Sequence, residues 1–237
     1  MVGWAPLPKV NQTNPQVLVF GNDYRWHIAS EPVDSAYRQV DEISLDGNAS
    51  FGPSMAFALA SLEREPRVVI GLIPCAKNSS AITEWQRNFS DHSLYGSCLK
   101  RAHAASPMGR VSGVLFFQGE TDAQNPHLYP QPELHPFNWA ELFAAFVTDL
   151  RQDLQEPDLP VIFAQLGPDP LSGDFPNWEV VKTQQASVDL PLTAMIKTDD
   201  LSLMDGLHFT ADGYKMIGFR FATAYWDLVQ VQNSNER

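Results

Sequence analysis

Val114-Leu115-Phe116-Phe117-Gln118-Gly119-Glu120-Thr121-Asp122 changes character at a single bond. Four apolar residues run straight into a polar cluster. A short, continuous apolar run that ends in turn residues reads as a strand buried on both faces, the signature of a parallel sheet. Val68-Val69-Ile70-Gly71-Leu72-Ile73 and Val161-Ile162-Phe163-Ala164-Gln165-Leu166 have the same form, and Ala194-Met195-Ile196 has it more weakly.

Helical patterns lie between these runs. Asn138-Trp139-Ala140-Glu141 reads as a capping box with Asn in place of Ser or Thr. It precedes Leu142, Phe143, Phe146, Val147, Leu150 and Leu154, which share one face at helical spacing. Pro53, after Gly52, suits the first turn of a helix carrying Met55, Leu59 and Leu62. Thr210 opens a final helix through Ile217, Phe221 and Trp226. Strands alternating with helices predict an α/β fold, a parallel sheet with helices on both faces. No repeat, low-complexity tract or second domain interrupts residues 1–237. In such sheets the ligand site lies beyond the carboxyl ends of the strands, which is where Gln118 to Asp122 should fall. The Pro- and His-rich segment from Asn125 to Phe137 reads as a long surface loop near the same edge.

Composition narrows the functional classes. The 237 residues are 44% hydrophobic and 19% charged, which suits a globular domain with a sizeable core. A formal net charge of -12 repels phosphate backbones and argues against a nucleic-acid partner. No apolar run approaches the length of a membrane span, so a soluble protein is expected. The N-terminus shows no basic region and no apolar signal core, which leaves the compartment open. The two cysteines, Cys75 and Cys98, lack metal-type spacing. They are expected as free thiols, Cys75 buried beside a strand end, with pairing as the alternative. Nothing here sets the oligomeric state.

Three clusters are candidates for chemistry. Asp205-Gly206-Leu207-His208 places a carboxylate and an imidazole three residues apart, ahead of a Thr-capped helix. The acid can reach one ring nitrogen while the other faces a cleft, which suits a general base with its orienting group. The plain alternative is a surface Asp and a capping His. Gln118, Glu120 and Asp122 form the second cluster. A Gln amide at a strand end can donate to a developing oxyanion, and the acids can orient loops or bind a sugar hydroxyl. The alternative is a polar turn closing a buried strand. Gly52 is the third, within Asn48-Ala49-Ser50-Phe51-Gly52-Pro53-Ser54 at a helix start, where unpaired N–H groups suit an oxyanion. It can equally be a permissive turn residue. There is no Gly-rich phosphate loop, no G-x-S-x-G elbow and no His pair at metal-ligand spacing.

At these residues the chain resembles the SGNH hydrolase superfamily, and within it the sialate O-acetylesterase-like carbohydrate esterases related to acetylxylan esterases. The resemblance runs in order over nearly the whole chain. Val17 to Phe20 with Asn22-Asp23-Tyr24-Arg25-Trp26 and Glu31-Pro32 resembles the family's early hairpin, and Ser50-Phe51-Gly52-Pro53 its second block. Leu72 to Lys77, Ser80 and Glu84-Trp85 resemble the strand and loop that follow. Gln118-Gly119-Glu120-Thr121-Asp122 and Asp205 to Thr210 are similar to the third and last blocks. The resemblance implies a three-layer α/β/α domain with a flavodoxin-like sheet, and a serine esterase that removes acetyl groups from an acetylated carbohydrate. It implies His208 as base, Asp205 as its orienting acid, Gly52 and Gln118 as oxyanion donors, and Glu120 in the substrate site. No metal or organic cofactor is implied.

The chain departs from the family at its first block, Gly-Gln-Ser-Asn-Met, which follows the first strand and holds the nucleophilic serine. Met1-Val2-Gly3-Trp4 resembles the tail of that block, with Met1 in the place of its Met. Ser50 and Ser54 belong to the second block, and Ser79 and Ser80 to a later loop. The expectation is a start assigned at an internal Met or a fragment, without the serine and inactive as it stands. In the flavodoxin-like order the first strand lies between the second and third. Val68 to Ile73 and Val114 to Phe117 should therefore lack the neighbour between them, unless Val17 to Phe20 takes that place. The rival readings are a carbohydrate-binding domain that kept the cleft and lost the chemistry, and a fragment with no function of its own.

Overall fold

A computed structural model describes residues 2–35, 37 and 49–235, so Met1 and Asn48 lie outside the described residues. The strands are β1 (Val17–Phe20), β2 (Trp26–Ile28), β3 (Ile70–Leu72), β4 (Val114–Phe116), β5 (Val161–Ala164) and β6 (Thr193–Ile196). The α-helices are α1 (Ser54–Arg64), α2 (Leu94–Ala105), α3 (Trp139–Asp153), α4 (Trp178–Ala186) and α5 (Ala211–Asn235). Each apolar run quoted above forms a strand: those at Val68, Val114 and Val161 are shortened, and the run at Ala194 gains Thr193.

These strands make two sheets of three, in the orders β2-β1-β3 and β4-β5-β6. β1 is parallel to β3, and β5 is parallel to both β4 and β6; only β2 is antiparallel, closing a hairpin on β1. Among the described residues β3 and β4 each end their sheet, and no strand joins them. Val17 to Phe20 does not repair the interruption, because it pairs with β3 and β2 instead of entering beside β4.

Helices hold the two sheets under common cover. β5 is buried at all four positions, so both of its faces are packed. On one face Phe143 and Phe146 of α3 meet Phe116 and Phe163 at ring distances of 4.8 to 5.3 Å. On the other, α5 lies along β5 and β6 and packs lengthwise against α1. Phe57 of α1 touches the apolar clusters of both sheets. Arg101 of α2 is buried and donates to Phe20 O of β1 at 2.9 Å, while Leu94, Tyr95 and Leu99 of the same helix pack into the β4–β6 core. α1 and α2 thus bridge the break from opposite sides.

Helix starts follow the sequence with one change. Thr210 Oγ1 accepts from Gly213 N–H at 3.2 Å and caps α5. Asn138 precedes α3 as expected, but its amide donates to Glu141 Oε2 at 2.9 Å, so the two side chains pair with each other and neither caps backbone. The segment Asn125 to Phe137 is a loop with two short 3-10 turns, anchored by the buried Tyr129. One expectation is overturned: Cys75 and Cys98 are joined by a disulfide. Cys75 follows β3, Cys98 lies on α2, and their Cα atoms are 5.4 Å apart, within bridging reach. No described helix is long and apolar enough to cross a membrane.

Candidate active site

Parallel strands bring their carboxyl ends to one edge of each sheet. A cavity of about 340 Å³ opens there. Its wall is built from four stretches: Val2 to Trp4, the Cys75 to Ser80 loop after β3, Leu115 to Glu120 along and beyond β4, and Leu207 and His208 ahead of α5. Tyr214 of α5 completes it.

Asp205 and His208 come together as the spacing suggests. Asp205 Oδ2 lies 2.7 Å from His208 Nδ1. The other oxygen, Oδ1, accepts the backbone N–H groups of His208 at 2.7 Å and Leu207 at 3.0 Å. Gly206 takes a φ of 86°, a left-handed conformation that glycine allows and that lets the chain fold back on the acid. Met204 N–H on His208 O at 2.8 Å and Thr210 N–H on Ser202 O at 3.0 Å fix the turn on either side. Burial works to raise the Asp205 carboxyl, but the hydrogen bonds from His208 and Leu207 win and hold it below the usual carboxylate range. Among the described residues no side chain is hydrogen-bonded to His208 Nε2. The ring of Trp4 lies over the imidazole, with centroids 4.8 Å apart and planes 16° from parallel.

Gln118 lies in the cavity wall, but its polar atoms are committed inward. Its amide donates to Ser80 O at 2.8 Å and to Asp122 Oδ2, and its oxygen accepts from Trp139 Nε1 at 3.0 Å. Both amide hydrogens already have acceptors, so one bond must break before Gln118 can serve a substrate oxygen. Asp122 is fully buried and also accepts from Ile82 N–H and Tyr129 Oη, tying three loops to the end of β4. Burial lifts its carboxyl to about 6 against those bonds. Glu120 faces the cavity; burial raises its carboxyl, opposed in part by His208.

Gly52 is not brought into the cavity wall. Gly3 stands against it so closely that a Cβ on Gly3 would come within 2.8 Å of the Gly52 backbone. Near the buried carboxyl of Glu31, the Gly52 backbone opposes in small part the upward shift that burial causes. Two serines line the cavity. Ser80 Oγ is engaged, donating to Lys77 O at 2.9 Å and accepting from Trp85 Nε1 at 3.0 Å. Ser79 is exposed with a φ of 55°. The described residues include no group of three His, Cys, Asp or Glu side chains placed to hold a metal ion. Trp4 and Tyr214 were not legible as site residues, since single aromatic residues at those positions carry no spacing signal.

Residues 3–227 match the family described as carbohydrate esterase, sialic acid-specific acetylesterase. The chain belongs to that family. The chain is 32% identical over 225 residues to the probable carbohydrate esterase At4g34215 of Arabidopsis thaliana, covering 92% of this chain and 78% of that protein. The X-ray structure of the Arabidopsis thaliana protein AT4G34215 superposes with a TM-score of 0.75 at 30% identity, over 91% of this chain and 82% of that one. Two more distant structures share the fold. NanS gives a TM-score of 0.69 at 16% identity, over 99% of this chain and 94% of that one. XAC1771, a carbohydrate acetylesterase from Xanthomonas citri, gives 0.62 at 19% identity, over 89% of this chain and 48% of that one. The chain thus shares the α/β fold of these proteins.

Proposed function

We infer that this chain carries the acid–base half of a serine esterase that removes acetyl groups from carbohydrates. The observation that carries the reading is the Asp205–His208 pair, with Nδ1 engaged at 2.7 Å and Nε2 left for chemistry at the cavity. In the proposed reaction a serine hydroxyl attacks the acetyl carbonyl carbon and passes its proton to His208 Nε2. The tetrahedral oxyanion takes the serine's own N–H, and a Gln118 amide hydrogen once that hydrogen leaves Ser80 O or Asp122. Each such donor lowers the barrier by about 3–4 kcal/mol. The bond from carbon to the sugar oxygen breaks, His208 returns the proton to that oxygen, and water then releases acetate. Glu120 faces the cavity with its carboxyl raised by burial, and suits a hydrogen bond to a sugar hydroxyl.

The hydroxyl itself enters, on this reading, with a strand that fills the break between β3 and β4. Two facts support it. Among the described residues β3 and β4 each have an edge without a partner strand, and Ser80, the buried serine of the wall, has its hydroxyl in use.

The test compares acetate release by the 237-residue chain and by the same chain extended N-terminally with a short apolar strand and Gly-Gln-Ser-Asn. The substrates are acetylated xylo-oligosaccharides, O-acetylated sialic acid and an activated acetyl ester. The extended chain should turn over at least one, and the chain alone should be negligible. An extended chain that folds and binds acetylated sugar without releasing acetate would replace this reading with a non-catalytic binding domain. Robust turnover by the chain alone, abolished in Ser79→Ala, would move the nucleophile to Ser79.

A further inference from the structure

The start of the chain packs against His208. Hydrogen bonds hold the backbone on either side of Trp4. Its neighbour Ala5 bridges to Phe51, with Phe51 N–H on Ala5 O at 3.0 Å and Ser50 Oγ on the same oxygen at 2.6 Å. Ser50 N–H donates to Gly3 O at 3.1 Å. The backbone on both flanks of Trp4 is therefore pinned. Its indole covers one face of the imidazole, with ring centroids 4.8 Å apart.

Asp205 holds the imidazole at one edge, through Nδ1. That single hydrogen bond resists rotation about Cβ–Cγ only as firmly as the exposed Asp205 side chain is itself held. A flat surface against the ring face adds a second restraint on the same rotation. An aromatic face also attracts a cation, so it favours the ring in the charged form that exists after Nε2 takes a proton.

We propose that Trp4 is a positioning residue for His208: the stacked indole sets the plane of the imidazole and holds Nε2 toward the cavity. This rests on the reading of His208 as the base, and its first test does not depend on turnover. Stacking at this distance displaces the His208 ring-proton NMR signals upfield through the indole ring current. The signals are assigned by their loss in His208→Asn. They should lie upfield in the natural chain, keep part of the displacement in Trp4→Phe, and return to ordinary positions in Trp4→Leu. Unchanged His208 signals in a folded Trp4→Leu chain would overturn the proposal, whether or not the protein releases acetate. If Trp4→Leu fails to fold, the reduced displacement in Trp4→Phe carries the test, and full displacement there overturns it. In the serine-bearing extended chain, Trp4→Leu should lower kcat about threefold to tenfold with KM unchanged, and Trp4→Phe should restore most of the loss. A change in KM alone would make Trp4 a substrate contact and sink the positioning role.

Discussion

The indole N–H of Trp139 donates to the carboxamide oxygen of Gln118 at 3.0 Å, and so fastens the first residue of α3 to the carboxyl end of β4. With the bonds to Ser80 O and Asp122, this makes Gln118 a junction of the fold as well as a wall of the cavity. Gln118→Ala should therefore disturb the fold as well as the cavity. The substitution strands a buried indole N–H and a buried carbonyl, at about 1–3 kcal/mol for each unpaired group. Gln118→Ala should destabilise by about 3–5 kcal/mol in chemical denaturation. A loss below about 1 kcal/mol would show that water or repacking replaces these bonds.

Asp205→Asn should change the imidazole without unfolding the chain. An Asn amide facing Nδ1 donates a hydrogen, which drives the ring proton to Nε2. Nitrogen NMR of the His208 ring should show Nδ1 protonated in the natural chain and Nε2 protonated in the variant. The same tautomer in both would mean that Asp205 does not set it.

Stability should fall as pH rises toward neutrality. Burial lifts the Glu31 carboxyl from 4.5 to about 7, against the N–H groups of Val33 and Gly52. The unfolded chain ionises this group from about pH 4.5, while the folded chain resists until about pH 7. Relative stability is therefore greatest below pH 4.5 for this residue and declines through the interval, by roughly 3 kcal/mol in all. Glu31→Gln should stabilise the protein at pH 8 by about 2–3 kcal/mol and change little at pH 4.5. Denaturation curves at the two pH values check this, and equal curves for both chains at pH 8 would refute it.

Reduction of the Cys75–Cys98 disulfide should loosen the cavity loop. The bridge closes a separation of 23 residues, which corresponds to about 3 kcal/mol of constraint on the unfolded chain. Cys98→Ser should lower stability by about that amount and speed proteolysis within residues 75–80. A melting temperature indifferent to reductant would contradict the assignment.

The parallel strands, the final helix and the Asp205–His208 pair could be read from sequence because each depends on local pattern. An apolar run of four or five residues, or an acid three positions before a histidine, carries its meaning within one turn of chain. The disulfide could not be read, since its closure depends on how β3 and α2 approach in space. The Trp4 stack was hidden for the same reason: nothing near residue 4 indicates residue 208. Gly52 and Gln118 show a third case. The sequence identifies groups able to donate hydrogen bonds, but Glu31, Ser80 and Asp122 decide who receives them. The separation of β3 from β4 among the described residues was legible because the family that the sequence resembles places another strand between them.

That break also bears on how the protein behaves at high concentration. A strand edge with unmet amide and carbonyl groups is a template for any extended chain that meets it. Among the described residues β3 and β4 each present such an edge. Copies of this protein should therefore cluster as they are concentrated, and short peptides rich in valine and isoleucine should compete with that clustering. Whatever occupies the edge of β4 would thus act as a solubility factor for the whole molecule.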